Sequence, residues 1–177
     1  MNKNIVVLAG SPRKGGSTNK LVAAFIEGAE SAGKEVTLFR VAEMSISGCT
    51  GCSYCFSKKG ICVLKDDMTQ ILDAIQKADA IVLASPVYFC SVSAQLKLAL
   101  DRTTALTMVE MPVKQSVLLM TCMDRASAEP AIAMYKAILQ FKKWEDSGVI
   151  IASGLSGMNN IDGFEELEQA RKLGREM

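Results

Sequence analysis

Short apolar runs alternate along the chain with longer segments in which apolar residues recur at helical spacing. Most of the runs are rich in Val, Ile and Leu and end near a turn-forming residue, which is typical of strands buried on both faces of a sheet. The pattern predicts five strands, at Asn4–Ala9, Lys34–Arg40, Ala80–Ala84, Ser116–Met120 and Val149–Ala152. It predicts five helices after them, at Ser17–Ala32, Asp67–Ala78, Ser93–Thr104, Glu129–Trp144 and Ile161–Lys172.

This strict strand–helix alternation indicates one α/β domain over residues 1–177. We expect a doubly wound, five-stranded parallel sheet between two helix layers, with the flavodoxin-like strand order 2-1-3-4-5. In such a sheet the ligand lies beyond the carboxyl ends of the strands, at the switch point between strands 1 and 3. The segments that matter for function are therefore 10–17, 85–92 and the loop that follows Met120.

The loop after the first strand, GSPRKGGSTNK (10–20), has the composition of a phosphate site. Gly16 stands where a P-loop needs lysine, and the pattern G-x-G-x-x-G is absent, so neither nucleotide motif applies. Glycines and a helix N-terminus nevertheless favour a bound monophosphate. The candidate ligands are Ser11, Arg13, Ser17, Thr18 and Asn19. An ordinary helix N-cap would explain Ser17 or Thr18 alone, but not the whole set.

The loop after the third strand, SPVYF (85–89), presents aromatic side chains next to that phosphate loop. Pro86 imposes an extended exit from the strand, after which Tyr88 and Phe89 form a wall suited to a flat ring. Either aromatic residue taken alone would be assigned to the core.

Composition and charge narrow the function classes. The formal net charge is +1 and no basic stripe is present, so we expect no nucleic acid partner and no membrane partner. The N-terminus lacks the apolar region of a secretory signal, which indicates a cytoplasmic protein. The chain contains no histidine, which excludes Ser-His-Asp and Cys-His catalysis and any histidine-ligated metal.

These motifs together resemble the flavodoxin-like NAD(P)H-dependent FMN oxidoreductases. The matching segments are GSPRKGGSTNKL (10–21), CTGCSYC (49–55), CVLKDDM (62–68) and ADAIVLASPVYFCSVSAQLKLALDR (78–102). The resemblance implies that the first loop binds the FMN phosphate and that Pro86, Val87, Tyr88 and Phe89 line the isoalloxazine ring. The loop from Thr121 to Pro130 would complete the ring pocket, with Thr121 as its first contact.

The same resemblance implies the chemistry. FMN would accept hydride from NAD(P)H and pass electrons to a quinone, flavin, nitro or azo compound, or to a redox protein. No side chain is assigned a catalytic role. The family also implies a homodimer or homotetramer, with Arg102 as a contributor to the subunit interface.

A cysteine-rich loop at about 45–65 carries Cys49, Cys52, Cys55 and Cys62. Their spacing, C-x2-C-x2-C-x6-C, is similar to that of the iron–sulfur flavoproteins and would suit a [4Fe–4S] cluster. Structural zinc fits less well, because four-cysteine zinc sites more often use two separated pairs. The third alternative, which the later part of the chain favours, is a metal-free loop with partly buried thiols.

Several neighbouring residues have simpler interpretations. A thioredoxin-type redox pair is not favoured, because no helix is predicted to begin in the cysteine segment. Cys90 and Cys122 are expected to be small buried residues. Asp67 is predicted to cap the second helix together with Gln70, and Lys97 to pair with Asp101 one turn away.

Overall fold

The protein forms an α/β structure, seen in a computed structural model that describes residues 3–156 and 160–177. The strands are β1 (Asn4–Ala9), β2 (Glu35–Arg40), β3 (Ala80–Tyr88), β4 (Ser91–Val92), β5 (Gln115–Thr121) and β6 (Glu145–Ala152). The helices are α1 (Ser17–Ser31), α2 (Tyr54–Ser57), α3 (Met68–Ile75), α4 (Ala94–Arg102), α5 (Glu129–Lys142) and α6 (Glu165–Glu176).

Five parallel strands form the sheet in the order β2-β1-β3-β5-β6. This order confirms the predicted flavodoxin-like 2-1-3-4-5 arrangement, because β4 is an additional strand that the hydrophobic pattern did not predict. It is two residues long and pairs antiparallel with the end of β3, opposite Val87 and Tyr88. The described residues thus form six strands, while the order of the parallel strands stays as predicted.

Two hydrophobic cores lie on opposite faces of the sheet. Side chains alternate along β1, so that Ile5 and Val7 enter one core with α1 and α6, while Val6 and Leu8 enter the other. The second core is closed mainly by α3, α4 and α5. This three-layer packing fixes the carboxyl ends of β1, β3 and β5 at one edge of the sheet, where a ligand site is expected.

Some element boundaries differ from the sequence prediction. The predicted helix at Ile161–Lys172 begins instead at Glu165, because Ile161 is buried as a core residue before the helix starts. Three glutamates occupy the first turn of α6, where the helix dipole favours negative charge. The last strand begins at Glu145 rather than Val149, since its polar first half still pairs with β5 around a register shift.

The predicted capping box of α3 is wrong. No side chain caps this helix at Asp67, whose Oδ2 instead accepts a hydrogen bond of 2.7 Å from the Ser45 amide. Asp66 accepts hydrogen bonds from the Met68 amide at 3.1 Å and from the Ser47 amide at 2.9 Å. Both carboxylates therefore bind the segment that precedes the cysteines.

Across residues 3–156 and 160–177, no helix combines the length and apolar character needed to cross a bilayer.

Candidate cofactor-binding site

A cleft of about 800 Å³ opens where β1, β3 and β5 end. Its size falls within the range of small-molecule and cofactor pockets. Eight of the ten residues predicted to bind a cofactor line it: Ser11, Arg13, Ser17, Thr18, Pro86, Val87, Tyr88 and Thr121. The structure thus brings the two predicted loops and the end of β5 to one site.

The loop after β1 is a tight turn held by its own backbone. The Gly16 amide donates to the Arg13 carbonyl oxygen at 3.1 Å, and Gly15 has a φ of +68°, which only glycine adopts without strain. Among the described residues, no side chain caps α1 at Gly16, so its first amides have no side-chain partner at the end of the helix that lines the cleft with Ser17 and Thr18. This arrangement suits an anion.

Asn19 supports this loop from behind. Its Nδ2 donates to the Arg13 carbonyl oxygen at 2.7 Å, and the side chain is largely buried. Asn19 itself is not one of the described residues that line the cleft. It shapes the turn that carries Arg13.

The floor of the cleft joins α1 to the end of β5. The Thr18 and Thr121 hydroxyl oxygens are 2.6 Å apart, and both side chains are buried. This contact fixes Thr121 beside the phosphate-type loop, although the two residues are far apart in the sequence.

The second wall of the cleft is a β-hairpin. Phe89 and Cys90 form its two-residue loop, with φ values of +47° and +62°. Positive φ at both positions is typical of a type I′ turn, which costs free energy when neither residue is glycine or asparagine. Pro86, Val87 and Tyr88 face the cleft, whereas Phe89 is fully exposed and is absent from the described lining. The prediction that Cys90 is buried is wrong, since it is exposed at the hairpin tip.

A buried serine pair connects the two loops. Ser93 donates its amide to Ser85 Oγ at 2.8 Å and its hydroxyl to the Gly10 carbonyl oxygen at 2.7 Å. Both serines have no exposed surface. The two walls of the cleft are therefore held at a fixed distance. The hydrophobic pattern of the sequence does not predict this role for Ser85 and Ser93.

Further residues line the cleft that were not named individually as ligands, although those of the first loop and those after β5 lie in predicted segments. They are Lys14, Gly15, Gly16 and Lys20 of the first loop, Cys122 and Met123 after β5, and Leu155, Ser156 and Asn160 after β6. Lys20 pairs with Asp162 at 2.7 Å, which ties α1 to the segment after β6. The lysines could have been noticed as phosphate partners. The residues after β6 could not, because nothing in their pattern distinguishes them from an ordinary loop. Burial raises the pKa of the Cys122 thiol, in agreement with its predicted buried position.

The four clustered cysteines line a second, smaller cavity of about 60 Å³. Cys49 and Cys52 are exposed, while Cys55 and Cys62 are partly buried. The expectation that no helix begins here is wrong, because the one-turn helix α2 starts at Tyr54. The Tyr54 amide and the Thr50 hydroxyl lower the pKa of the Cys52 thiol. In the part of the chain that the structure describes, no three cysteine or carboxylate side chains converge as a single metal ion requires.

Arg102 closes the back of the cysteine cavity. Its guanidinium pairs with Asp66 at 2.7 Å, and the two side chains are 1% and 11% exposed. The interpretation of Arg102 as a subunit-interface residue is therefore wrong. Burial opposes the charge of Asp66, but Arg102 and the Ser47 and Met68 amides lower the pKa of this carboxyl group to about 2. The Lys97–Asp101 pair is confirmed, at 2.6 Å on the exposed face of α4.

Comparison with known proteins assigns the chain to a family. The sequence model that describes NADPH-dependent FMN reductases matches residues 3–145, which include β1 to β5 and the first residue of β6. The chain belongs to the NADPH-dependent FMN reductase family. This finding confirms the resemblance on which the site prediction depended.

Curated relatives of this FMN reductase family member carry the name iron–sulfur flavoprotein. One from Archaeoglobus fulgidus is 41% identical over 97 residues, which are 55% of this chain and 44% of that protein. One from Methanosarcina thermophila is 34% identical over 113 residues, 64% of this chain and 59% of the relative. The chain thus spans about half the length of these relatives. One from Clostridioides difficile is 29% identical over 170 residues, 93% of this chain and 72% of that protein.

Solved structures agree on the fold of this FMN reductase family member. An NAD(P)H:quinone oxidoreductase from Methanothermobacter marburgensis superposes with a TM-score of 0.77 at 17% identity, covering 99% of this chain and 96% of the other. An azoreductase from Bacillus anthracis gives 0.74 at 18% identity and covers both chains completely. At these identities the similarity establishes the flavodoxin-like architecture and nothing finer.

Proposed function

We propose that this protein binds FMN in the cleft and is an oxidoreductase that takes hydride from NAD(P)H. The main observation behind the proposal is that two features line one cleft at the ends of β1, β3 and β5. They are a loop suited to a phosphate and a wall suited to a flat ring. Membership of the NADPH-dependent FMN reductase family supports it. The electrons would pass to a quinone, flavin, nitro or azo compound, or to a redox protein.

The phosphate end of FMN fits the turn between β1 and α1. Ser11, Ser17 and Thr18 would donate hydroxyl hydrogen bonds, and the uncapped first turn of α1 adds amides and a positive partial charge. Arg13 and Lys14 line the same end of the cleft and supply the positive charge that a dianionic phosphate requires.

The ring end fits the wall formed by Pro86, Val87 and Tyr88. This backbone leaves the sheet as the paired end of β3, and its geometry is fixed by the hairpin and by Ser85. A rigid edge of this kind can orient a flat ring and exclude water from one of its faces. When bound, FMN would supply the hydride and electron chemistry that this histidine-free chain does not. The side chains position the cofactor and are assigned no proton transfer.

An FMN titration tests this assignment. Quenching of flavin fluorescence should show saturable binding to the wild-type protein, and Arg13→Ala should weaken it about tenfold through the loss of a charge-assisted contact. Arg175→Ala, in the last turn of α6 and not among the described lining residues, serves as the matched control and should bind like the wild type. Failure of the folded wild-type protein to bind FMN after reconstitution would contradict the proposal.

A second candidate function is an iron–sulfur flavoprotein relay with a [4Fe–4S] cluster on Cys49, Cys52, Cys55 and Cys62. The observation that favours it is that all four cysteines line one cavity, closed by the buried Arg102. A cluster of four irons spreads its thiolate ligands further apart than a single ion does, so a cluster does not require the convergence that zinc needs and that the described residues lack. The names of the curated relatives point the same way.

Iron and acid-labile sulfide analysis on anaerobically purified protein tests the cluster. The relay predicts iron and sulfide in equal amounts, lost in Cys55→Ser but retained in Cys90→Ser, whose thiol is exposed at the hairpin tip. A flavin spectrum without bound iron would exclude the relay and leave the oxidoreductase proposal intact.

We further propose a cytoplasmic homodimer or homotetramer. Phe89 is fully exposed beside the cleft, where a second copy could cover it and complete the ring pocket. Light scattering should give a mass of at least twice 19.0 kDa. A monomer at micromolar concentration would contradict the assembly.

A further inference from the structure

Arg102 is a buried cation in direct reach of the cysteine loop. It is the last residue of α4, its side chain is 1% exposed, and it lines the cavity that the four cysteines share. A buried guanidinium is retained only where it is paired and hydrogen-bonded, because its desolvation is costly. The hydrogen-bond partners of Arg102 therefore indicate the role of this buried charge.

The partners of Arg102 flank the cysteine motif on both sides. Nη1 donates to the Ser47 carbonyl oxygen at 2.8 Å and to Asp66 Oδ2 at 2.7 Å. Nη2 donates to Asp66 Oδ1 at 3.0 Å and to the Leu64 carbonyl oxygen at 3.4 Å. One planar group thus holds the chain before Cys49 and after Cys62, which sets the distance between the ends of the loop.

The remaining nitrogen of Arg102, Nε, takes no part in these four hydrogen bonds. Among the described residues, its buried Nε has no hydrogen-bond partner, although an unpaired buried N–H costs free energy. Cys62 lies within interaction range of the guanidinium and lines the same cavity. A negatively charged sulfur at Cys62 would give this donor an acceptor and this cation a second counter-charge.

We propose that Arg102 is a positioning residue for a [4Fe–4S] cluster, holding the loop and donating Nε–H to the Cys62 sulfur so that the cluster is easier to reduce. The proposal rests on the second candidate function. A hydrogen bond to a ligating sulfur and a nearby positive charge both stabilise the more negative, reduced state. Asp66 acts in the opposite direction, since its carboxylate offsets part of the charge of Arg102.

The test compares the reduction midpoint of the cluster, followed by electron paramagnetic resonance, in reconstituted variants. Arg102→Gln should make reduction harder by about tenfold in its equilibrium constant, about 59 mV for one electron. Asp66→Asn should shift the midpoint the other way, because it removes the opposing charge and keeps the arginine. Lys97→Gln, on the exposed face of the same helix, is the matched control and should not shift it.

The opposite signs separate tuning from a purely structural role. If both variants shift the midpoint in one direction, or if Arg102→Gln retains the cluster with an unchanged midpoint, the role of Arg102 is overturned while the relay stands. If Arg102→Gln does not retain iron, Arg102→Lys replaces it, and a wild-type midpoint in that variant also overturns the proposal. Wild-type protein without iron and sulfide would overturn the relay and this inference together, but not the FMN proposal.

Discussion

The hydroxyl oxygens of Thr18 and Thr121 lie 2.6 Å apart in the buried floor of the cleft. One belongs to the first turn of α1 and the other ends β5. Their contact joins the predicted phosphate end of the site to its predicted ring end. It also means that each hydroxyl depends on the other for its orientation.

Thr121→Val should therefore weaken both the fold and FMN binding. The substitution leaves the buried Thr18 hydroxyl without this partner, which costs about 1–3 kcal/mol in the free energy of unfolding. Thr121→Ser keeps the hydroxyl and is the control. Urea denaturation and flavin fluorescence measure the two effects, and equal values for the valine and serine variants would show that the contact is not used.

Gly28→Ala should destabilise the contact between α1 and α6. A methyl group at Gly28 would collide with the Arg171 carbonyl, and one at Gly174 with the Phe25 carbonyl, so the two backbones approach at glycine. Overpacking of this kind costs about 1–3 kcal/mol, more than alanine gains in helix propensity. Chemical denaturation should show the loss, whereas the exposed Glu30→Ala in the same helix should change stability by less than about 0.5 kcal/mol.

Asp66 makes the stability of the protein depend on pH. Its folded pKa of about 2 lies below the ordinary value of 3.8, so its contribution is complete above 3.8 and is lost as the pH falls toward 2. At neutral pH, Asp66→Asn should lower the free energy of unfolding by about 1–2 kcal/mol. Between about pH 4 and pH 2, the free energy of unfolding of the variant should also fall less steeply than that of the wild type. Asp73→Asn, exposed on α3, is the control, and a wild-type acid profile in Asp66→Asn would refute the assignment.

Phe89→Asn should stabilise the hairpin of the single protomer, measured at a dilution where the proposed assembly has dissociated. Phenylalanine at a φ of +47° is strained and its ring is fully exposed, so the fold gains nothing from the side chain within one chain. Asparagine adopts this conformation readily, and a gain of about 1 kcal/mol is expected in thermal or urea unfolding. Phe141→Asn, an exposed aromatic residue on α5, controls for the loss of a surface ring. A destabilised Phe89→Asn protomer under these dilute conditions would contradict the assignment of strain to this turn.

The parallel sheet could be predicted from the sequence because its strands are buried on both faces. Runs such as 4–9 and 80–84 must be almost wholly apolar, and that signal does not depend on distant residues. The polar first half of β6 and the two-residue β4 lack this signal. Their pairing comes from neighbouring strands, which a local pattern cannot show.

The candidate site was predictable to the extent that it follows topology. The loops after the first and third strands converge because parallel strands end at one edge, so Ser11 and Tyr88 could be placed together. Arg102 could not be placed, because its burial depends on Asp66, 36 residues away. The exposure of Phe89 depends on a backbone turn that an aromatic residue does not predict.

The most direct test of the central claim is anaerobic reduction of the FMN-loaded protein by NADH and by NADPH, followed at the flavin absorbance. The cleft and the family predict that one equivalent of at least one nucleotide bleaches the bound flavin. Addition of a quinone should then restore the oxidised spectrum. Tightly bound FMN that neither nucleotide reduces would contradict the account.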